Sequence, residues 1–171
     1  MINSRVEKEF NDQIKHEIGS AYLYLSMAAW FDNQGWDGMA SWMKVQAQEE
    51  MAHAMKFYQN ITDREGRDEL MPLDKPQGEW ASPLDAFKAA YKHEQFVSDR
   101  IRTLAKITAE ENDFSSRPMI DWFLNEQIEE EANASKIVQR LERIGSSTNG
   151  MTMLDRELGS RVFTPPAAGG E

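Results

Sequence analysis

The chain has 171 residues, enough to bury one substantial core, and its 29 acidic against 19 basic residues leave a formal charge of −10. That balance argues against nucleic acid or an anionic membrane as a partner and favours the attraction of cations. The absence of cysteine excludes disulfides, thiolate zinc sites and iron–sulfur clusters.

Proline and glycine divide the chain into long helical stretches rich in Ala, Glu, Lys, Met and Leu. Residues 4–33 predict a first helix, and "NQGWD" at 33–37 is a short break that favours an antiparallel neighbour over 38–65. The stretch 66–81, "GRDELMPLDKPQGEWA", holds two prolines and two glycines and is long enough to cross the length of a bundle. A third helix over 82–112, the break "NDFSSRP" at 112–118 and a fourth helix over 118–144 follow. "GSSTNG" at 145–150 ends the fourth helix, and 152–162 predict a short fifth one. The expected architecture is all-α: an up-down-down-up four-helix bundle with a long crossover between helices 2 and 3. It forms one domain over residues 1–163, with "TPPAAGGE" at 164–171 as a disordered tail. "MINSRVEKEF" has no apolar leader segment and no apolar run nears the roughly 18 residues of a membrane span, so a cytoplasmic protein is expected.

Each long helix carries an apolar stripe at alternating spacings of four and three. The stripes read Phe10, Ile14, Glu17, Ala21, Tyr24, Ala28, Phe31 in the first helix and Met39, Met43, Gln46, Glu50, His53, Phe57, Asn60 in the second. In the third they read Leu84, Phe87, Tyr91, Glu94, Ser98, Ile101, Ala105, and in the fourth Ile120, Phe123, Gln127, Glu130, Ala134, Ile137, Leu141, Ile144. Near its middle every stripe is interrupted by a carboxylate where an apolar side chain belongs. One such glutamate could mark a wet patch or a salt bridge. Four, with no lysine or arginine in the stripes beside them, would repel one another unless they take up protons or bind a cation.

The predicted core site therefore gathers Glu17, Glu50, His53, Glu94, Gln127 and Glu130. Oxygen-rich ligation with one imidazole suits iron or manganese better than a closed zinc site. The carboxylates are too many for one ion, which points to two, with Glu50 between them. Glu50-x-x-His53 is one half of the Glu-x-x-His pair found in di-iron bundles, and Gln127-x-x-Glu130 stands where the other half would be.

Through "FNDQIKHEIGSAYLYLSMA", "QAQEEMAHAMKF", "YKHEQF" and "NEQIEEEA", the chain resembles the prokaryotic non-haem ferritins along nearly its whole length. The resemblance implies iron storage with ferroxidase activity: Fe(II) is oxidised by O2 or peroxide and the ferric product is stored inside a homo-oligomeric cage of 24 subunits. It implies that Glu17, Glu50 and His53 hold one iron and that Glu50, Glu94 and Glu130 hold the second. Gln127 serves as hydrogen-bond partner or weak ligand, and Tyr24 stands beside the pair as an electron-rich group. Glu49, Glu126 and Glu129 resemble the extra iron site of the same proteins, although a solvated acidic face is the plainer reading of such a run. Met51 follows Glu50 as a haem-ligating methionine does in bacterioferritins, but Glu130 replaces their second-motif histidine, which argues against haem. His16 and His93 read as surface residues, Trp122 as core or electron relay, and Trp36 and Trp80 as exposed interface positions. The rival enzyme class is a di-iron peroxidase or oxygenase of rubrerythrin type, and it lacks its cysteine-rich electron-transfer module here.

Overall fold

The computed structural model describes residues 1–165, so the part of the expected tail at 166–171 lies outside the described residues. Among the described residues the α-helices in chain order are α1 (Ser4–Gln34), α2 (Asp37–Asp63), α3 (Pro83–Glu110), α4 (Arg117–Ile144) and α5 (Thr148–Leu158), with a 3-10 turn at Phe114–Ser116. Among the described residues none lies in a strand, and no helix is long and apolar enough to cross a membrane.

Local chemistry sets the helix boundaries. Asn3 caps α1 by accepting from the Arg5 and Val6 amides, and Ser82 caps α3 with Pro83 in the first turn. Gly35, at φ 77°, ends α1 in the left-handed conformation that glycine adopts most readily, which lets α2 fold back antiparallel. α5 begins four residues earlier than the sequence predicts. The turn-like "TNG" that reads as a break is instead its first turn, because Ser147 Oγ accepts from the Gly150 amide at 3.2 Å.

The crossover between α2 and α3 lies along α1, which makes the topology up-down-down-up. Ile2 N donates to Arg64 O at 3.1 Å where α2 ends. Asn11 then accepts from the Glu69 amide and donates to Arg67 O, Ser26 donates to Gln77 O, and Trp80 packs edge-on against Trp30. From Asn11 to Trp30 the strap runs roughly 28 Å along α1 at 1.5 Å per residue. Trp80 is thus buried, not exposed as the sequence suggests, because its indole packs edge-on against Trp30 and so leaves water. Trp36 is half-buried.

α5 sits across the start of α2. Trp36 offers that helix no side-chain cap, and Asp155 Oδ1 accepts the Met39 amide instead, at 2.8 Å. A Cβ at position 38 would come within 1.8 Å of the Asp155 carbonyl oxygen, so only glycine permits this approach. Arg140 holds Glu157 through two contacts of 2.6 Å and fixes the other side of α5.

The core has two apolar halves. One gathers Tyr24, Phe31, Met39, Met43, Phe87 and Leu141 at the α5 end. The other gathers Phe10, Ile14, Phe57, Ile101, Ile120 and Phe123. Between them lies a buried polar layer of Glu17, Gln46, Glu50, His53, Glu94, Ser98, Gln127 and Glu130. Each half supplies the burial that holds the helices together, about 1.5–3 kcal/mol per fully buried large side chain. The polar layer opposes it.

Candidate metal centre

Facing helices bring the layer's side chains together at one height. Glu17 comes from α1, Glu50 and His53 from α2, Glu94 from α3, and Gln127 and Glu130 from α4, and all six are buried. The ligand atoms of Glu17, Glu50 and His53 lie within 4.8 Å of one another, the only such group among the described residues. His53 turns Nδ1 toward Glu50 Oε2 at 3.6 Å. Its ring rests edge-on against Phe123 and Trp122, and Phe123 is stacked on Phe57 at 4.4 Å, so the imidazole has a rigid apolar floor.

Glu17 Oε1 accepts from Gln13 Nε2 at 2.9 Å, while Glu17 Oε2 and Glu50 Oε2 are buried with no donor from any other group among the described residues. A buried polar atom left unpaired is costly, and two of them aimed into one carboxylate and imidazole cluster fit a cation between them. Across the layer, Tyr24 Oη donates to Glu94 Oε1, Gln127 Nε2 donates to Glu94 Oε2 at 3.2 Å, and Gln46 Nε2 donates to Glu130 Oε2 at 3.0 Å.

Without an ion the layer holds its charge down by keeping protons. Burial, reinforced by the Glu50 charge, raises Glu17 to about 8. Glu50 is driven well above the usual carboxyl range by burial and by Glu94 and Glu130. Burial and Glu130 lift Glu94 to about 7 even though Tyr24 and Gln127 stabilise its anion. The Tyr24 phenol is likewise pushed well up, by burial first and then by Glu94. Metal entry would release these protons, which couples affinity to pH.

The Ferritin model, described as a ferritin-like domain, matches residues 7–144. The chain is 34% identical over 163 residues to the bacterial non-heme ferritin of Staphylococcus aureus strain MRSA252, covering 95% of this chain and 98% of that one. It is 37% identical over 161 residues to the bacterial non-heme ferritin of Bacteroides fragilis, covering 94% and 100%. The chain belongs to the ferritin family. Its backbone superposes on an engineered closed form of the Archaeoglobus fulgidus ferritin with a TM-score of 0.94 at 44% identity, covering 96% of this chain and 100% of that one.

The remaining expected residues of this ferritin-family chain fall into different settings. Glu126 Oε1 lies 3.9 Å from His53 Nε2, on the opposite side of the ring from Glu50. Glu49 pairs with Arg161 at 2.6 Å, and burial raises it to about 7 against that pairing. Glu129 is exposed. Met51 is 43% exposed, on the side of α2 that faces away from the layer. His16 and His93 are half-buried, not surface residues. His93 Nε2 pairs with Ser20 Oγ at 2.7 Å and its ring meets Tyr24 edge-on, so burial pushes it down to about 4.

Sequence reasoning missed Gln13 and Arg161. Gln13 lies four residues before Glu17, the spacing at which helical side chains meet, so its place was readable. Arg161 carried no such signal, because only the return of the chain beyond α5 brings it to Glu49.

Proposed function

We propose that this ferritin-family chain stores iron, taking up Fe(II), oxidising it within the bundle and passing the ferric product to a mineral inside a homo-oligomeric cage of 24 subunits. Glu17, Glu50 and His53 bind one Fe(II), and Glu50, Glu94 and Glu130 bind the second, with Glu50 serving both. The observation that carries this reading is the Glu17, Glu50 and His53 cluster with its two unpartnered buried carboxylate oxygens.

Each Fe(II) gives up one electron. Two electrons and two protons convert O2 to hydrogen peroxide, and two further Fe(II) with two further protons reduce that peroxide to water. The carboxylates stabilise Fe(III) over Fe(II) because hard anionic oxygens gain more from the higher charge. The protons that leave Glu17 and Glu50 as iron enters supply part of the two that reduction consumes. Tyr24, hydrogen-bonded to Glu94, stands next to the second iron position as a donor of one further electron and its phenolic proton. Glu49, Glu126 and Glu129 bind a third iron on the α2 and α4 side. The acidic chain concentrates Fe(II) in the cage: 24 copies would carry on the order of −240 formal charges.

Anaerobic Fe(II) titration of the apoprotein, followed by stopped-flow oxygenation, tests the reading. About two to three tightly bound Fe(II) per subunit and rapid oxidation are expected, together with a light-scattering mass on the order of 24 chains. No saturable Fe(II) binding would sink the centre. A monomer or dimer at physiological salt would sink the cage alone.

A further inference from the structure

Arg161 follows α5 by three residues and turns its side chain back into the bundle. One amino group donates to Glu49 Oε2 at 2.6 Å and the other to Gln46 Oε1, while the guanidinium lies over the Trp42 ring, 4.7 Å from its centroid. Gln46 is wholly buried and relays the contact, since its Nε2 donates to Glu130 Oε2 at 3.0 Å. An amide donates only from nitrogen, so the hold of Arg161 on Oε1 fixes which face of Gln46 meets Glu130. One cation thus touches Glu49 directly and Glu130 through a single amide.

We propose that Arg161 is a tethered counter-ion that occupies Glu49 in the metal-free protein and is displaced when a divalent cation binds there. The proposal rests on the reading of Glu49 as an iron ligand. A metal ion on the same carboxylate would sit within a few ångströms of the guanidinium, and two unscreened positive charges at that distance in a largely buried site repel strongly. One of them has to leave. The tether allows it: Arg161 lies beyond the last helical turn, its amide bonded to Leu158 O at 3.3 Å, and its side chain is 23% exposed. Rotation about its own side-chain bonds carries the guanidinium to solvent without undocking α5. Stacking on Trp42 and the two-pronged hold on Gln46 and Glu49 need a planar fork, which lysine lacks.

Displacement has an optical signature, because the cation leaves an indole ring. The full-length assembled apoprotein is titrated with Zn(II), which is redox-silent, while metal uptake and tryptophan emission are recorded together. In the parent, the last-filled site should change the emission, and Trp42→Phe should abolish that change while leaving uptake in place. Arg161→Gln should fill the same site roughly tenfold tighter, without the emission step, because a competitor has been removed. Arg161→Lys should fall between the two, and Glu49→Gln should lose both the site and the step. Circular dichroism confirms that each variant is helical. Parent-like affinity of the last site in both Arg161 variants, or an emission step that survives Arg161→Gln, overturns the proposal. Loss of the earlier Zn(II) equivalents from Glu50→Ala alone tests the main centre, so the two readings fail separately.

Discussion

In the α1–α2 half of the polar layer, no donor from another described residue reaches Glu17 Oε2 or Glu50 Oε2, which can only share a proton with each other, whereas in the α3–α4 half protein donors hold both carboxylates. Tyr24 and Gln127 grip Glu94, and Gln46 grips Glu130. The first half is short of donors and gains most from a cation. The second already has part of what a metal would provide, so an ion there must compete with existing hydrogen bonds. Two adjoining positions that share Glu50 should therefore fill in order, the α1–α2 position first.

The largest test of that order is Glu50→Ala, which removes the ligand common to both positions. Anaerobic Fe(II) uptake should lose both equivalents, and the first rapid oxidation should slow by roughly 100-fold or more, judged against the 10–100-fold costs of outer-shell changes at metal sites. His53→Ala should slow it less, because it removes one ligand from one position. Glu94→Gln should keep the first equivalent and weaken only the second. If Glu94→Gln loses the first equivalent while His53→Ala keeps it, the order is reversed.

Stability against pH sharpens the same comparison. Between the ordinary carboxyl value of 4.5 and about 8, folded Glu17 keeps a proton that the unfolded chain has released. Unfolding then releases that proton, so stability is full below the lower value and is lost as pH rises through the window. The apoprotein should melt several degrees lower at pH 8.5 than at pH 5, with Zn(II) restoring the loss, and Glu17→Gln should flatten the slope. A melting temperature that climbs across this range would show that the layer does not hold its protons.

Tyr24→Phe should have a smaller effect. The ring packing survives, but Glu94 loses one donor, at a cost of about 1 kcal/mol measured by chemical denaturation. With Glu94 less firmly held, the second Fe(II) should bind somewhat tighter and the oxidised intermediates should decay at a different rate. Transients identical to the parent's would mean the phenol is only packed there. The mildest change is Glu126→Gln with Glu129→Gln. It should leave the first oxidation in place, remove about one bound iron per subunit and alter the ratio of iron oxidised to oxygen consumed. An unchanged count and ratio would make this a solvated face.

The four long helices were legible because their stripes repeat at helical spacing and proline and glycine mark their ends. Glu17, Glu50, His53, Glu94, Gln127 and Glu130 stood out because each breaks an apolar stripe, and the fold buries all six. The stripe of α3 was less well read: Leu84, Tyr91 and Ala105 are only half-buried, while Ala90, Val97 and Leu104 lie inside. The helix sits rotated by part of a turn from the face that period alone selects. Contacts between distant segments left no local pattern. Trp80 against Trp30, Arg161 against Glu49 and Asp155 against Met39 each depend on where a connecting segment returns, which periodicity does not encode.

The contact of Asp155 with the Met39 amide also bears on the order in which the chain matures. The two residues are 116 positions apart, so at cellular synthesis rates the ribosome needs on the order of 10 s to make the one after the other. Until then the Met39 amide lacks its side-chain acceptor, while the rest of α2 can already pair with α1. The glycine at position 38 keeps that end clear for a late arrival. The newborn chain therefore carries an unfinished helix end until α5 emerges, and a chain cut off before Asp155 keeps one for good.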